Sequence, residues 1–353
     1  MMSARQPLPF LAASGRAITP IAFVNAAVRA YQDRGIDPES ALQRAHISPK
    51  ELRRRNARVT AAQFEIFAEA AMRELDDEAL GWFSRRLPWG AYGMLCRASL
   101  TRGPLELALR RWRRHHLILT EDVAFSLEVE GGLAIWSIEE RRDLGPYREF
   151  CLVTLMRYVL GFSCWSIDSK IALARAEFPF AEPAHVSVYP TIFCKGLAFD
   201  APRAAIVFDA RYLALPLKRD EVDLDYMLQR ALPLTVLPYR RDRLLVERVR
   251  RLLRDARTPH ATAEDIADAL ALSTRTLHRQ LAREDASLRE LKEEARIEIA
   301  QHALARGRAP IKRVALAAGF RNEKSFSRAF RNWTGLTPRD FRRQATLAPD
   351  TSV

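Results

Sequence analysis

The chain has 353 residues, 48% hydrophobic and 28% charged, enough apolar content for packed cores in about two domains. Its formal charge is +13, and residues 240–345 alone hold 25 Lys and Arg against 14 Asp and Glu, so the last third carries +11 of that total and points to a polyanion-binding module joined to a different kind of domain. The four cysteines, Cys96, Cys151, Cys164 and Cys194, form no CxxC pair or zinc spacing, and no apolar run of about 18 residues occurs; a reduced, cytoplasmic protein without metal, cofactor or membrane span is expected.

The N-terminus, MMSARQPLPFLAASGRAITP, is apolar but broken by prolines and does not read as a secretory signal; residues 1–17 are expected to be disordered. From Ile18 to about Leu119 apolar residues recur at helical spacing. In RGPLELALRRWRRHHL, Pro104 suits a first-turn position, and Leu105, Leu109, Trp112 and His116 share one face. The arginines of RRWRRHH read either as a nucleic-acid patch or as the solvated side of a core-packed helix, the second being the commoner case. At Val123 the period changes. VAFSLEVEGGLAIWSIEE places Val123, Phe125, Leu127 and Val129 inward, turns at Gly131-Gly132 and returns through Leu133 and Ile135, a hairpin pattern. A helix is expected from about Pro146 to Phe162, and further strands in KIALARAEF, HVSVY and AAIVFDARYLALPL. Residues 18–220 thus form an expected α+β domain, followed by a linker over 221–241 that contains a short helix and two prolines.

Residues 242–345 read as short helices with explicit ends. DRLLVERVRRLLRDA puts Leu245, Val249 and Leu252 on one stripe. Thr262 with Asp265, Ser287 with Glu290, and Thr337 with Asp340 have capping-box spacing, and Gly307 suits a helix end. Residues 346–353 are expected to be a disordered tail.

One pattern occurs twice. IADALALSTRTLHRQLAREDASLREL (266–291) and VALAAGFRNEKSFSRAFRNWTGLTPRDF (314–341) align Ile266 and Ala267 with Val314 and Ala315, and Leu277 and Leu281 with Phe326 and Phe330. Each unit is a short helix, a tight turn and a second helix with apolar anchors four apart, a helix-turn-helix pattern repeated about 48 residues on. Gly319 suits the left-handed end of one first helix, and Ser273 and Asn322 suit the caps of the second helices. The connecting helix, about 19 residues at 1.5 Å each, spans roughly 28 Å against roughly 34 Å for a turn of B-DNA. With the anchors inward, the outward faces carry Thr274, Arg275, His278 and Arg279 in one second helix, and Glu323, Lys324, Ser327 and Arg328 in the other. Arg is suited to guanine O6/N7 and to phosphate; Ser327 also reads as plain surface, and Glu323 as a partner that orients Lys324.

IKRVALAAGFRNEKSFSRAFRNWTGLTPRDFR and STRTLHRQLAREDASLREL resemble the two helix-turn-helix units of the AraC/XylS transcription regulators. Relatives usually have Gly where this chain has Asp285. RLPWGAYGMLCRASLTRGPLELALRRWRRHH and FCKGLAFDAPRAAIVFDARYLALPL resemble the arabinose-binding-like effector domain of one subgroup, a label that does not identify a sugar ligand. The resemblance implies an α+β effector-binding and dimerisation domain followed by an all-α DNA-binding domain, in which two helix-turn-helix motifs are joined by a linker helix. It implies a homodimeric, effector-responsive activator that binds double-stranded promoter DNA and recruits RNA polymerase. It also places Arg275, His278, Arg279, Lys324, Ser327 and Arg328 at base-contacting positions. Trp89, Tyr92, Arg97 and Trp136 are the candidates for an effector pocket, though aromatic residues at such spacing are more often core. The rival readings are a sequence-neutral architectural DNA binder and an enzyme in the first domain. The chain has no GxSxG, P-loop, HExxH or strand-linked GxGxxG, and adjacent His115 and His116 point about 100° apart on a helix.

Overall fold

In a computed structural model the described residues are 17–228, 244–254, 261–284, 286–306 and 309–347. The expectations for residues 1–16, for 229–241 of the linker, for Asp285, for Gly307 and for 348–353 lie outside them. The chain divides into two compact units, Met1–Asp242 and Arg243–Val353, each described by itself.

The first unit is mixed α+β. Its start departs from the all-helical pattern expected there. Strand β1 (Ala17–Pro20) pairs antiparallel with β2 (Arg58–Thr60), around helices α1 (Ile21–Gln32), α2 (Glu39–Arg44) and α3 (Pro49–Leu52). Helix α4 (Ala61–Glu74) starts at Thr60, whose hydroxyl accepts the Gln63 N–H while the Gln63 side chain accepts the Thr60 N–H. Helices α5 (Ala91–Ser99) and α6 (Leu105–Leu119) follow. On α6 the expected stripe is fully internal, with Leu105, Leu109, Trp112 and His116 at most 1% exposed and Arg110, Arg111 and Arg114 at the surface. The RRWRRHH run is therefore the outer side of a core helix, with Pro104 as its N-cap.

Strands β3 (Val123–Glu130) and β4 (Leu133–Glu140) form the expected hairpin, in register from Val123↔Glu140 to Glu130↔Leu133. Gly131 and Gly132 turn it with φ of 54° and 80°, which only glycine adopts freely. With β5 (Leu173–Glu177), β6 (Leu197–Ala198) and β7 (Ala204–Asp209) they make a sheet of order β3-β4-β7-β5-β6, antiparallel except for β5–β6. The inward alternation fails at the far end of β3. Leu127 is half-buried and Val129 is 56% exposed, because β3 is an edge strand and its turn end runs past the elements that cover the sheet. Helix α7 (Arg148–Ser166) packs on α6 and β7, and apolar side chains around nearly its whole circumference are buried, as expected of a central helix.

HVSVY is not a strand. Val186–Val188 is a 3-10 turn leading into α8 (Tyr189–Ile192), in which Pro190 removes a ladder donor and Tyr189 and His185 both reach Glu149 on α7, at 2.7 and 2.6 Å. The last expected strand is also shorter than AAIVFDARYLALPL, because Asp209 accepts the Arg211 N–H and turns the chain into a 3-10 segment, Ala210–Ala214. Helix α9 (Glu221–Leu228) then packs on α5.

The second unit is all α. Its described helices are α10 (Leu244–Arg254), α11 (Ala263–Ala269), α12 (Thr274–Arg283), α13 (Leu288–Arg306), α14 (Ile311–Ala317), α15 (Glu323–Thr334) and α16 (Pro338–Leu347). Two apolar clusters hold it. One gathers Leu245, Val249, Ile266, Leu277, Leu281 and Leu291; the other gathers Leu304, Val314, Ala315, Phe326 and Phe330. Helix α13 feeds the first with Leu288, Leu291 and Ala295 and the second with Ala300 and Leu304. At about 1.5–3 kcal/mol for each fully buried Leu or Phe, the four anchors on α12 and α15 dominate the docking of those helices.

Candidate nucleic-acid interface

Helices α12 and α15 are positioned by the same local devices. Before α12 the Ser273 hydroxyl accepts the Thr276 N–H at 3.2 Å; before α15 the Asn322 side-chain oxygen accepts the Ser325 N–H at 2.8 Å. Capping of this kind satisfies a donor that the first turn leaves open. The first helix of each pair ends on a left-handed residue. In the second pair it is Gly319, with φ of 80°; in the first it is Ala271, with φ of 54°. Leu277 and Leu281, like Phe326 and Phe330, are completely buried, which fixes the rotation of each helix about its axis.

The opposite faces follow from that rotation. Arg275, His278 and Arg279 are exposed and Thr274 is half-buried; Lys324 and Arg328 are exposed, and Glu323 and Ser327 are half-buried. Among the described residues Arg275, Arg279, Lys324 and Arg328 make no ion pair, while some scaffold cations are engaged. Arg250 bridges Glu247 and Glu294, Arg343 reaches Asp340, and Arg342 donates to the Ala309 carbonyl. Lys312, Arg313, Arg321 and Arg331 are also exposed and without ion pairs among the described residues. Sequence reasoning did not single them out; the available signal was that each lacks an acidic residue three or four positions away.

In the first unit, a cavity of about 250 Å³ is lined by Trp89, Tyr92 and Arg97. Trp136 does not line it. It lies on the core face of β4, 1% exposed, with its ring centroid 5.2 Å from that of Phe125. An aromatic residue on a strand faces core or solvent by alternation, and here β4 is an interior strand. Glu78, Met94, Tyr158 and Leu228 complete much of the wall. Burial pushes the Glu78 carboxyl above its ordinary range, while the N–H groups of Tyr92 and Gly90, donating at 2.7 and 2.8 Å, pull the other way. Nearby, burial holds His116 down to about 3, so it is neutral, with Nε2 3.3 Å from the Tyr92 hydroxyl. Burial likewise pushes the Cys96 thiol up to about 12.

Cys96, Cys151 and Cys164 are buried free thiols, and Cys194 is half-buried. Among the described residues no three His, Cys, Asp or Glu side chains are grouped so as to hold a metal ion. No described helix is long and apolar enough to cross a membrane.

Two family models match the chain. The arabinose-binding domain of AraC transcription regulators, N-terminal, matches residues 35–217, and a helix-turn-helix domain matches residues 266–344. The chain is 25% identical over 339 residues to the ornithine utilization regulator of Pseudomonas aeruginosa, covering 96% of this chain and 99% of that protein. It is 37% identical over 105 residues to the HTH-type transcriptional regulator VirS of Mycobacterium tuberculosis, covering 29% of this chain and 30% of that protein. The crystal structure of the transcriptional regulator CdpR from Pseudomonas aeruginosa aligns at 19% identity over 91% of this chain and 98% of that one, with a TM-score of 0.34.

Proposed function

The chain belongs to the AraC/XylS family of transcription regulators, with an arabinose-binding-like N-terminal domain and a C-terminal helix-turn-helix domain, and from that premise we propose that it is a sequence-specific, effector-responsive activator that reads DNA with two helices. Helices α12 and α15 would enter successive major-groove segments, held apart by α13, whose 19 residues span roughly 28 Å.

The observation that carries this reading is the unpaired positive charge on the outward faces of α12 and α15, fixed there by the buried anchors. Arg275, Arg279, Lys324 and Arg328 stand exposed and, among the described residues, without ion pairs on the faces opposite the buried anchors. Unpaired surface arginines repel one another and gain most from a polyanion. Arg275, His278, Arg279, Lys324 and Arg328 would reach base edges or phosphates. Thr274, Ser327 and Glu323 would add shorter contacts, Glu323 by accepting from a cytosine amine or by steering Lys324. Lys312, Arg313, Arg321 and Arg331 would hold the backbone. The first unit would bind a small-molecule effector and pair two chains, and the DNA-bound dimer would engage RNA polymerase.

The test is binding of the full chain to the DNA upstream of its own gene and to a scrambled copy, across a salt series. A sequence-specific regulator should prefer the true sequence by about 10³-fold or more at physiological salt. Equal affinity for both, with a steep salt dependence, would mean a sequence-neutral architectural binder instead.

A further inference from the structure

The cavity between α4, α5, α7 and α9 has a wall chemistry that selects a ligand class. Four aromatic side chains, Trp82, Trp89, Tyr92 and Tyr158, contribute to it. Among the described residues, the charge buried in its wall is Glu78, only 8% exposed. At the rim Arg97 is neutralised twice over, by Glu221 at 3.0 Å and Asp225 at 2.5 Å, both on α9. The cavity and its rim therefore carry net negative charge. One wall residue already accepts a cation on its ring, since the Arg73 guanidinium sits 4.1 Å from the Trp89 centroid. Electron-rich ring faces around a buried carboxylate form the surroundings that favour an ammonium group over a neutral or anionic one.

The geometry points to this cavity as the binding site of a small organic cation, a single protonated or quaternary nitrogen on an apolar or aromatic body. The inference rests on the reading of the first unit as an effector domain. Glu78 supplies the counter-charge, the rings enclose the nitrogen, and Met72, Met94 and Leu155 surround the apolar body. One wall of the cavity is α9. Leu228, the last residue of α9, closes against Gly93 so tightly that a Cβ at Gly93 would lie 3.3 Å from Leu228 Cδ1. The Arg97 clamp, this contact and the buried Leu224 and Met227 hold α9 at the cavity's edge. A ligand that fills the cavity bears directly on Leu228.

Isothermal titration of the full chain with three probes of similar shape tests the assignment: phenethylamine, phenethyl alcohol and phenylacetate. The amine should bind at least about tenfold more tightly than the alcohol, with phenylacetate weakest. Glu78→Gln should bring the amine down to the alcohol's affinity. Gly93→Leu, whose side chain would have to push Leu228 out of the cavity wall, should abolish binding of both. If Glu78→Gln fails to fold because α5 loses its cap, the amine-to-alcohol ratio in the unaltered chain and the Gly93→Leu result decide. Alcohol or phenylacetate matching the amine, retention of the amine preference in Glu78→Gln, or no binding at millimolar concentration would overturn the assignment. If the assignment falls while the chain still discriminates true from scrambled DNA, the ligand class is wrong and the regulator reading stands.

Discussion

Ala271 stands where the second helix-turn-helix pair has Gly319, and the two adopt the same left-handed backbone, at φ of 54° and 80°. A side chain in that region costs about 1–2 kcal/mol through contact between Cβ and the backbone. Replacing Ala271 by Gly removes that cost but widens the unfolded ensemble, which offsets about 0.4–1 kcal/mol. The net expectation for Ala271→Gly is a gain of about 0.5–1 kcal/mol. For a unit of this size that is roughly 2–5 °C in the unfolding midpoint, read by differential scanning calorimetry of the full chain. The reciprocal change, Gly319→Ala, should lower the midpoint by a similar amount. Neither residue belongs to the outward faces of α12 and α15, so DNA affinity at low temperature should stay the same in both variants. A neutral or lowered midpoint for Ala271→Gly, or a raised one for Gly319→Ala, would refute the strain argument.

Arg279→Ala and Arg328→Ala should each weaken specific DNA binding by about 1–3 kcal/mol, measured by fluorescence anisotropy, with the unfolding midpoint unchanged because both side chains are exposed; unchanged affinity in both variants would remove them from the interface. Phe326→Ala deletes a fully buried ring and should cost about 3–5 kcal/mol, read by chemical denaturation, whereas Asn322→Ala removes one cap and should cost about 1 kcal/mol. His116 gives a pH dependence. Its folded value of about 3 lies below its ordinary 6.5, so protons bind the unfolded chain first, and the stability present above pH 6.5 is lost progressively as the pH falls toward 3. That loss is about 2 kcal/mol by pH 5, and His116→Gln should flatten it in denaturation curves taken between pH 7 and 5.

What could be read before folding was mostly local. The fourfold spacing of Leu277 with Leu281 and Phe326 with Phe330 predicts the buried face, because a helix carries its own periodicity wherever it packs. The caps at Thr262, Ser273, Ser287, Asn322 and Thr337 were legible for the same reason, each resting on a partner three residues away. Features set by distant chain were not. Val129 alternates like its neighbours, and only the strand order reveals that it lies at an uncovered edge. HVSVY has strand-like composition, but Tyr189 and His185 are claimed by Glu149, far away in sequence. Glu78 gave no sign of facing a cavity, since its partners Gly90 and Tyr92 come from the start of α5. Trp136 and Trp89 looked alike as aromatic candidates; their neighbours put one in the core and the other at the cavity. Nothing in an alanine announces a left-handed turn, so Ala271 was legible only as the counterpart of Gly319.

The most direct test of a two-helix reader is selection of binding sites from random-sequence DNA by the full chain. The expected result is a preferred site with two sequence elements whose centres lie about 10–10.5 base pairs apart. Arg279→Ala should blur one element and Arg328→Ala the other. A pool with no sequence preference, or a single element altered by both substitutions, would contradict the reading of α12 and α15 as two separate recognition helices.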